Sequence, residues 1–240
     1  MNPLTIVLPY YRNPGMLAHQ YGVWADWPPA VKAAISIVLV DDGSPEAAGD
    51  VPRPAGLPLL RILRMLEDHP WHQHACRNLG AKVAAGSWLL LTDMDHVLPA
   101  SSARGLLERI AGGGDVIYTF GRVDAPDLKP KLDARGMPHP HPNSFALRRD
   151  RFWAVGGYDE DLIGYGTDGF FRKRLFTQGP PIHLADCPLI RFSREVIPDA
   201  STRADRNAGR QTARNRAMIT RKAALKLGPR VLMAEWGSVL

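Results

Sequence analysis

The sequence predicts an α/β fold, a mostly parallel central sheet flanked by helices, on three observations. Short apolar runs recur at Leu4 to Leu8, Ile35 to Val40, Leu59 to Leu63, Trp88 to Leu91 and Val116 to Phe120. Their Val, Ile and Leu content, with little polar alternation, marks strands buried on both faces. Helical stretches separate the runs, as crossover connections between parallel strands require. The 240 residues, 45% hydrophobic and 22% charged, suit one globular domain with a continuous core.

In chain order, Pro14 to Ala34 supplies the first crossover helix. Pro70 to Ala85 supplies the second, opened by Pro70 near its first turn and stopped at Gly86. Ser101 or Ser102 can cap a third, running through Leu106 and Ile110 to Gly112-Gly113-Gly114. Beyond residue 120 the prolines Pro126, Pro130, Pro138, Pro140 and Pro142 break up a long polar connection. A connection of that length reads as a loop over a site, and His139 with His141 makes it a candidate lid. Regular structure resumes at Ser144-Phe145-Ala146-Leu147, and a final helix is expected from Ala208 to Leu227, before Gly228-Pro229. There is no internal repeat and no low-complexity tract.

No stretch approaches the roughly 18 apolar residues of a membrane-spanning helix, and Met1-Asn2-Pro3-Leu4 enters a strand without a basic leader, so a cytoplasmic protein is expected. Cys76 and Cys187 read as two free, partly buried thiols. The net charge is +6, but Arg191 to Arg230 carries eleven bases against three acids, a local +8 that leaves −2 elsewhere. This basic segment can face a nucleotide's phosphates or an anionic membrane surface, and a solvated helix face is the plainer reading of its later part. A nucleic-acid partner is not expected, because the segment lacks interleaved aromatics.

Two strand ends carry the chemistry. Asp93 and Asp95 follow the run Trp88-Leu89-Leu90-Leu91-Thr92. Two residues apart on an extended chain, they point the same way and repel unless a cation or proton intervenes. Oxygen ligands favour Mg²⁺ or Mn²⁺, which commonly bridge carboxylates to substrate phosphates. Ile37-Val38-Leu39-Val40-Asp41-Asp42-Gly43-Ser44 places a second acid pair and a turn glycine beyond another strand, where α/β sheets bind ligands. Taken alone, each acid pair also fits a turn or helix cap. His69, His72 and His74 span a helix start without a cysteine pair, so a polar helix entrance is favoured there over zinc.

Asp41-Asp42-Gly43-Ser44, Cys76-Arg77-Asn78-Leu79-Gly80, Gly86 and Asp93-Met94-Asp95, in this order and spacing, resemble the nucleotide-binding half of GT-A glycosyltransferases, particularly family 2. The resemblance implies that Asp41 or Asp42 contacts the base, Arg77 the phosphates or neighbouring acids, Asp93 the ribose or donor sugar, and Asp95 the metal, with Asp93 beside it. It is extended by Leu8-Pro9-Tyr10-Tyr11-Arg12-Asn13, which is similar to the nucleotide-wrapping loop of β-1,4-galactosyltransferases and implies donor contacts from Pro9, Tyr10 and Arg12.

Asn143 to Arg149, Phe152, Val155-Gly156-Gly157-Tyr158-Asp159-Glu160 and Gly164-Tyr165-Gly166-Thr167-Asp168 resemble the acceptor-side region of galactosyltransferases and chondroitin-type polymerases. This implies acceptor contacts from Tyr165, Gly166 and Asp159, and a base that removes the acceptor proton. The base is expected to be Asp168, since Gly169 stands where those families place their second acid. In the stretch Leu189 to Arg194, Phe192 replaces the histidine metal ligand of the β-1,4-galactosyltransferases, leaving His183 as an alternative third ligand or a purely structural residue. Tyr165 and Trp153 are candidates for stacking on a sugar ring, with core packing equally open to Trp153.

The chain is thus expected to hold a nucleotide-binding half (1–98), an acceptor-side half (99–190) and a basic C-terminal segment (191–240). The resemblance implies a metal-dependent, inverting transfer of a hexosyl or N-acetylhexosaminyl group from a nucleotide-diphosphate sugar, by family habit a UDP-sugar, to a glycan or glycolipid, with Mn²⁺ or Mg²⁺ as cofactor and the basic segment as a peripheral membrane contact. The alternatives are a non-catalytic sugar-nucleotide-binding module, kept open by Gly169, and a sugar-nucleotide nucleotidyltransferase, which would normally carry a Gly-rich basic loop that Pro9-Tyr10-Tyr11-Arg12 lacks.

Overall fold

A computed structural model describes residues 2–68, 72–136, 139–164, 166–201, 212–231 and 236–239. The chain runs β1 (Leu4–Tyr10), α1 (Pro14–Ala25), α2 (Pro29–Ala34), β2 (Ile35–Asp41), β3 (Leu59–Met65), α3 (Gln73–Val83), β4 (Trp88–Leu91), β5 (His96–Val97), α4 (Ala100–Ala111), β6 (Tyr118–Asp124), β7 (Lys129–Pro130), β8 (Phe145–Arg148), α5 (Arg149–Ala154), α6 (Asp168–Phe176), β9 (Ile182–Arg191), α7 (Thr212–Ala224) and β10 (Trp236–Val239). One sheet has the order β10-β3-β2-β1-β4-β8-β6-β9-β5, with β7 paired to β6. The expected parallel character holds in β3, β2, β1 and β4. Past β4 the sheet becomes mixed: β8 is antiparallel to both β4 and β6, while β6 and β9 run parallel.

The apolar runs are continuous because both faces of the sheet are covered. From β1, Leu4, Ile6, Leu8 and Tyr10 enter a core with α1, α2 and α4, whereas Val7 enters the opposite core with Phe145, Phe152 and Tyr158. The alternation is that of a strand with period two. Helix α3 packs on β1 at Gly80, where a Cβ would lie 2.3 Å from a Val7 methyl carbon. Only glycine allows that approach.

Several boundaries differ from expectation. The first crossover is two helices, because Pro28 and Pro29 interrupt the pattern and Pro29 opens α2. Helix α3 is described from Gln73, and residues 69–71, Pro70 included, lie outside the described residues. Pro99, not a serine, precedes α4; Ser102 is buried inside the helix and its hydroxyl donates to the Pro188 carbonyl at 2.8 Å. The last helix is described over Thr212–Ala224, and residues 208–211 fall outside. Among the described residues no helix is long and apolar enough to cross a membrane. Cys76 and Cys187 are free and buried.

Candidate active site

Strands β2 and β4 flank β1 and run parallel to it, so both acid pairs leave the same edge of the sheet. Two inter-strand spacings set them about 10 Å apart. The turn after Asp42 is pinned by Gly43, at φ +69°, whose Cβ position lies 2.8 Å from the Asp68 backbone. Helix α3 opens against this turn: the His72 amide donates to Asp42 Oδ2 at 2.8 Å.

The first acid pair divides its work. Asp41 is fully buried and accepts from the Ser44 amide at 2.7 Å, the Ala48 amide at 2.9 Å and Arg64 Nη1 at 2.9 Å. Both its oxygens are used in building the loop, so of the two acids expected at the base Asp42 is the one less engaged. Asp42 differs. Its Oδ1 is buried without a nitrogen or oxygen hydrogen-bond partner, and burial holds its carboxyl well above the usual 3.8 against the lowering effect of the His72 amide and the Cys76 thiol. A buried acceptor in that state would gain from an N–H that reached it.

Pro9 is half-buried at the end of β1, beside the turn. Tyr10, expected at the donor, is fully buried in the core, and its hydroxyl donates to the Glu46 carbonyl at 2.8 Å. Tyr11 takes the outward position: its hydroxyl donates to Asp68 Oδ2 at 3.0 Å, and the Arg12 guanidinium lies 5.2 Å from its ring centroid. Arg12 is exposed, at φ +53°, with its amide donating to Ser44 Oγ at 3.0 Å. The alternation of side chains along β1 was the signal separating the two tyrosines, since Leu4, Ile6 and Leu8 place Tyr10 inward.

Arg77 is the hub. Its side chain is fully buried on α3, with Nη1 donating to Tyr158 Oη at 2.8 Å and to Asp168 Oδ1 at 3.3 Å, and Nη2 donating to Asp93 Oδ1. Burial alone would lower its pKa, but Tyr158, Asp93 and Asp168 together raise it. Gln73 Nε2 also donates to Asp168 Oδ1, at 3.1 Å. Asp168, the first residue of α6, is thereby fixed beside Asp93 although 75 residues separate them in the chain. Its Oδ2 has no hydrogen-bond partner among the described residues.

Helix α3 also stitches the two halves together. Asn78 mimics backbone, accepting from the Tyr158 amide and donating to the Tyr158 carbonyl, both at 2.8 Å. His72 Nε2 lies 3.2 Å from the Glu160 carbonyl and His74 Nδ1 3.0 Å from the Asp159 carbonyl. These histidines are the polar helix entrance the sequence suggested.

On the acceptor side, Gly166 is exposed at φ +91°, and Tyr165 lies outside the described residues. Asp159, expected at the acceptor, is buried and clamped by Lys222 Nζ at 2.7 and 2.8 Å, so it anchors α7. Lys222 also reaches Asp161 at 2.7 Å, and Arg230 lies 3.8 Å from Asp161. Part of the basic segment therefore serves internal ion pairs; Arg203, Arg206 and Arg210 lie outside the described residues. Trp153 packs edge-on to Phe152, with centroids 4.8 Å apart, as core.

Asp95, the expected cation ligand, meets protein groups at both carboxylate oxygens. Asp95 Oδ1 is bonded to His96 Nδ1 at 2.8 Å and its Oδ2 lies 3.6 Å from Arg191 Nε. Asp93, His96 and His141 instead bring one donor atom each within 4.8 Å of one another. Nε2 of His96 is buried without a partner, an orphan that a cation would satisfy, so the residues present fit a divalent metal. Burial, then His96 and nearby arginines, pushes the His141 pKa well below 6.5, keeping its ring neutral as a ligand must be. His183, the alternative third ligand, is exposed near the start of β9, 3.3 Å from Thr119 Oγ1. It pairs with Thr119 of β6 whereas the Arg191 that reaches Asp95 pairs with Asp124, so five β6 residues, about 16 Å, separate the two positions. As possible ligands, His96 goes unmarked in the sequence because it stands beside the Asp pair, and His141, read there only as part of a lid, because it lies in a proline-broken connection.

An apolar cavity of about 350 Å³, lined by His19, Val23, Trp27, Val97, Ile190 and Phe192 among others, holds none of these residues. The candidate site is the polar cleft at the strand ends.

A curled mixed sheet with acid-tipped parallel strands on one side and an acid opening a helix on the other defines a GT-A glycosyltransferase fold. The model of glycosyl transferase family 2 matches residues 30–195, more than half the chain, and the chain belongs to that family. Among solved structures it is similar to Staphylococcus aureus TarS 1–349, with TM-score 0.62, 16% identity, and coverage of 82% of this chain and 62% of that one. The TarS complex with UDP-GlcNAc gives TM-score 0.63 at 15% identity, covering 80% and 58%. The mannosyltransferase PcManGT of Pyrobaculum calidifontis, in complex with GDP-Man and Mn²⁺, gives TM-score 0.60 at 16% identity, covering 91% and 64%. This chain spans about three fifths of the length of these structures. Comparison with curated proteins found no match.

Proposed function

We propose that the protein transfers a sugar from a nucleotide-diphosphate donor, a UDP-sugar first among them, to a hydroxyl of a glycan or glycolipid, with inversion. The observation that carries this reading is Arg77, which holds Asp93 on the donor side and Asp168 on the acceptor side with one guanidinium. The base would sit against Tyr11 with an N–H on Asp42, and the diphosphate would run along the edge of β1 toward Asp93. TarS complexes with UDP-GlcNAc and UDP, and the PcManGT complex with GDP-Man, support a nucleotide there.

In the reaction the acceptor oxygen attacks the anomeric carbon while the bond from that carbon to the phosphate oxygen breaks. The electron pair leaves with the diphosphate and the acceptor proton passes to Asp168 Oδ2. Arg77 and Gln73 fix the other oxygen of Asp168, so the free one is aimed before substrate arrives. Arg191, paired loosely with Asp95, can turn to the growing negative charge. A divalent cation, when bound, supplies further neutralisation of the leaving group.

Asp168→Asn should keep donor affinity and lose transfer, and donor titration beside a transfer assay checks both; unchanged turnover would remove Asp168 from the base role. Exposed Arg216, Arg221 and Lys226, next to exposed Leu225 and Leu227, give a lipid-linked acceptor's membrane a docking face. The protein should float with anionic vesicles and not with neutral ones, and equal behaviour would exclude this contact.

A further inference from the structure

A cation beside Asp93 rests on the glycosyltransferase reading above, but the side chains themselves decide which atoms hold it. We infer that Asp93, His96 and His141 are the ligands, that Asp95 orients His96 without binding the ion, and that the site prefers Mn²⁺, or another ion tolerant of imidazole, to Mg²⁺.

The two oxygens of Asp95 face His96 Nδ1 and Arg191 Nε. Asp93 gives only Oδ1 to Arg77, and its Oδ2 faces His141 Nε2 at 3.9 Å. Each imidazole is held through Nδ1: His96 by Asp95, and His141 by Ser144 Oγ at 2.8 Å, itself 2.8 Å from Thr92 Oγ1. Both rings therefore present Nε2, and the ring centroids are 3.7 Å apart. Histidine ligands are commonly arranged in this way, the remote nitrogen fixed by an oxygen so that the near one is aimed.

Ligand atoms on one ion, with bonds of about 2.0–2.2 Å, lie about 3–4 Å apart. The present 4.8 Å limit is within a small contraction of that. Two imidazoles and one carboxylate make a softer set than the all-oxygen shell that suits Mg²⁺. His141 ends the proline-broken connection after β6, so the ion would tie that connection to the end of β4.

The test uses the full chain with Mn²⁺ alone and no nucleotide or sugar. Pulsed electron paramagnetic resonance should show ¹⁴N couplings from two imidazoles in the unaltered protein and in His183→Gln, and from one in His141→Gln. His96→Gln should likewise leave one, so the result does not hang on a single variant's folding, and melting curves identify any variant that fails to fold. Mg²⁺ should displace Mn²⁺ only in excess of about tenfold. Asp95→Asn should weaken Mn²⁺ by about 10–100-fold while leaving both couplings. An ion with oxygen ligands only, both couplings surviving in His141→Gln, or equal affinity for Mg²⁺ would overturn the assignment. Any of these would leave sugar transfer untouched, just as failed transfer would leave the two couplings in place.

Discussion

Tyr10 and Tyr11 are neighbours of the same type, yet at the end of β1 one turns into the core and the other toward Asp68, beside the cleft proposed to hold the nucleotide. Tyr11→Ala should therefore weaken nucleotide binding by about 1–3 kcal/mol, the scale of one base stacked on an aromatic ring. Tyr10→Phe should leave nucleotide affinity unchanged and cost about 1 kcal/mol of stability for the lost buried hydrogen bond. Nucleotide titration and urea unfolding on both variants separate the two effects; a reversed pattern would move the base elsewhere. The same division appears between Asp41 and Asp42. Asp41 spends both oxygens on its own loop, while Asp42 retains an unsatisfied one. The sequence Asp-Asp-Gly-Ser marks both as strand-end acids, but which oxygen is left over depends on Arg64 and the Ala48 amide, partners that folding alone brings near.

At the scale of elements, helix α3 and the 158–168 segment form one unit through Arg77, Asn78, His72 and His74. Lys222 of α7 closes the far side by neutralising Asp159 and Asp161. Lys222→Met should cost about 3–5 kcal/mol, because two nearly buried carboxylates lose their partner. Chemical denaturation measures this, and an unchanged midpoint would show the clamp to be idle. The parallel strands and α3 were legible because their residues are apolar on both faces or opened by a polar turn. The mixed half was less so. Strand β9 carries exposed residues at Ile182, His183, Ala185 and Asp186, which blurs any buried-strand pattern. Asp159 resembled an acceptor residue because nothing local announces a lysine 63 residues away as its partner. Phe192, which stands in a histidine's place, leaves a gap in the expected ligand set, and the histidines inferred to fill it lie on β5 and before β8, out of sequence register with it.

Over the whole molecule, strand order does what no single motif can. It places β1 between the two acid-tipped strands, so Asp42, proposed to contact the base, and Asp93, proposed to lie at the phosphate end, share one cleft, about 10 Å apart, with Asp168 joined to Asp93 through Arg77. One donor molecule spanning that cleft is the central claim. A crystal structure of the complex with UDP and Mn²⁺ tests it most directly. The nucleobase should lie on Tyr11 with an N–H on Asp42 Oδ1, and the diphosphate should end beside Asp93. A nucleotide bound elsewhere, or one reaching either acid while turned away from the other, would contradict the account.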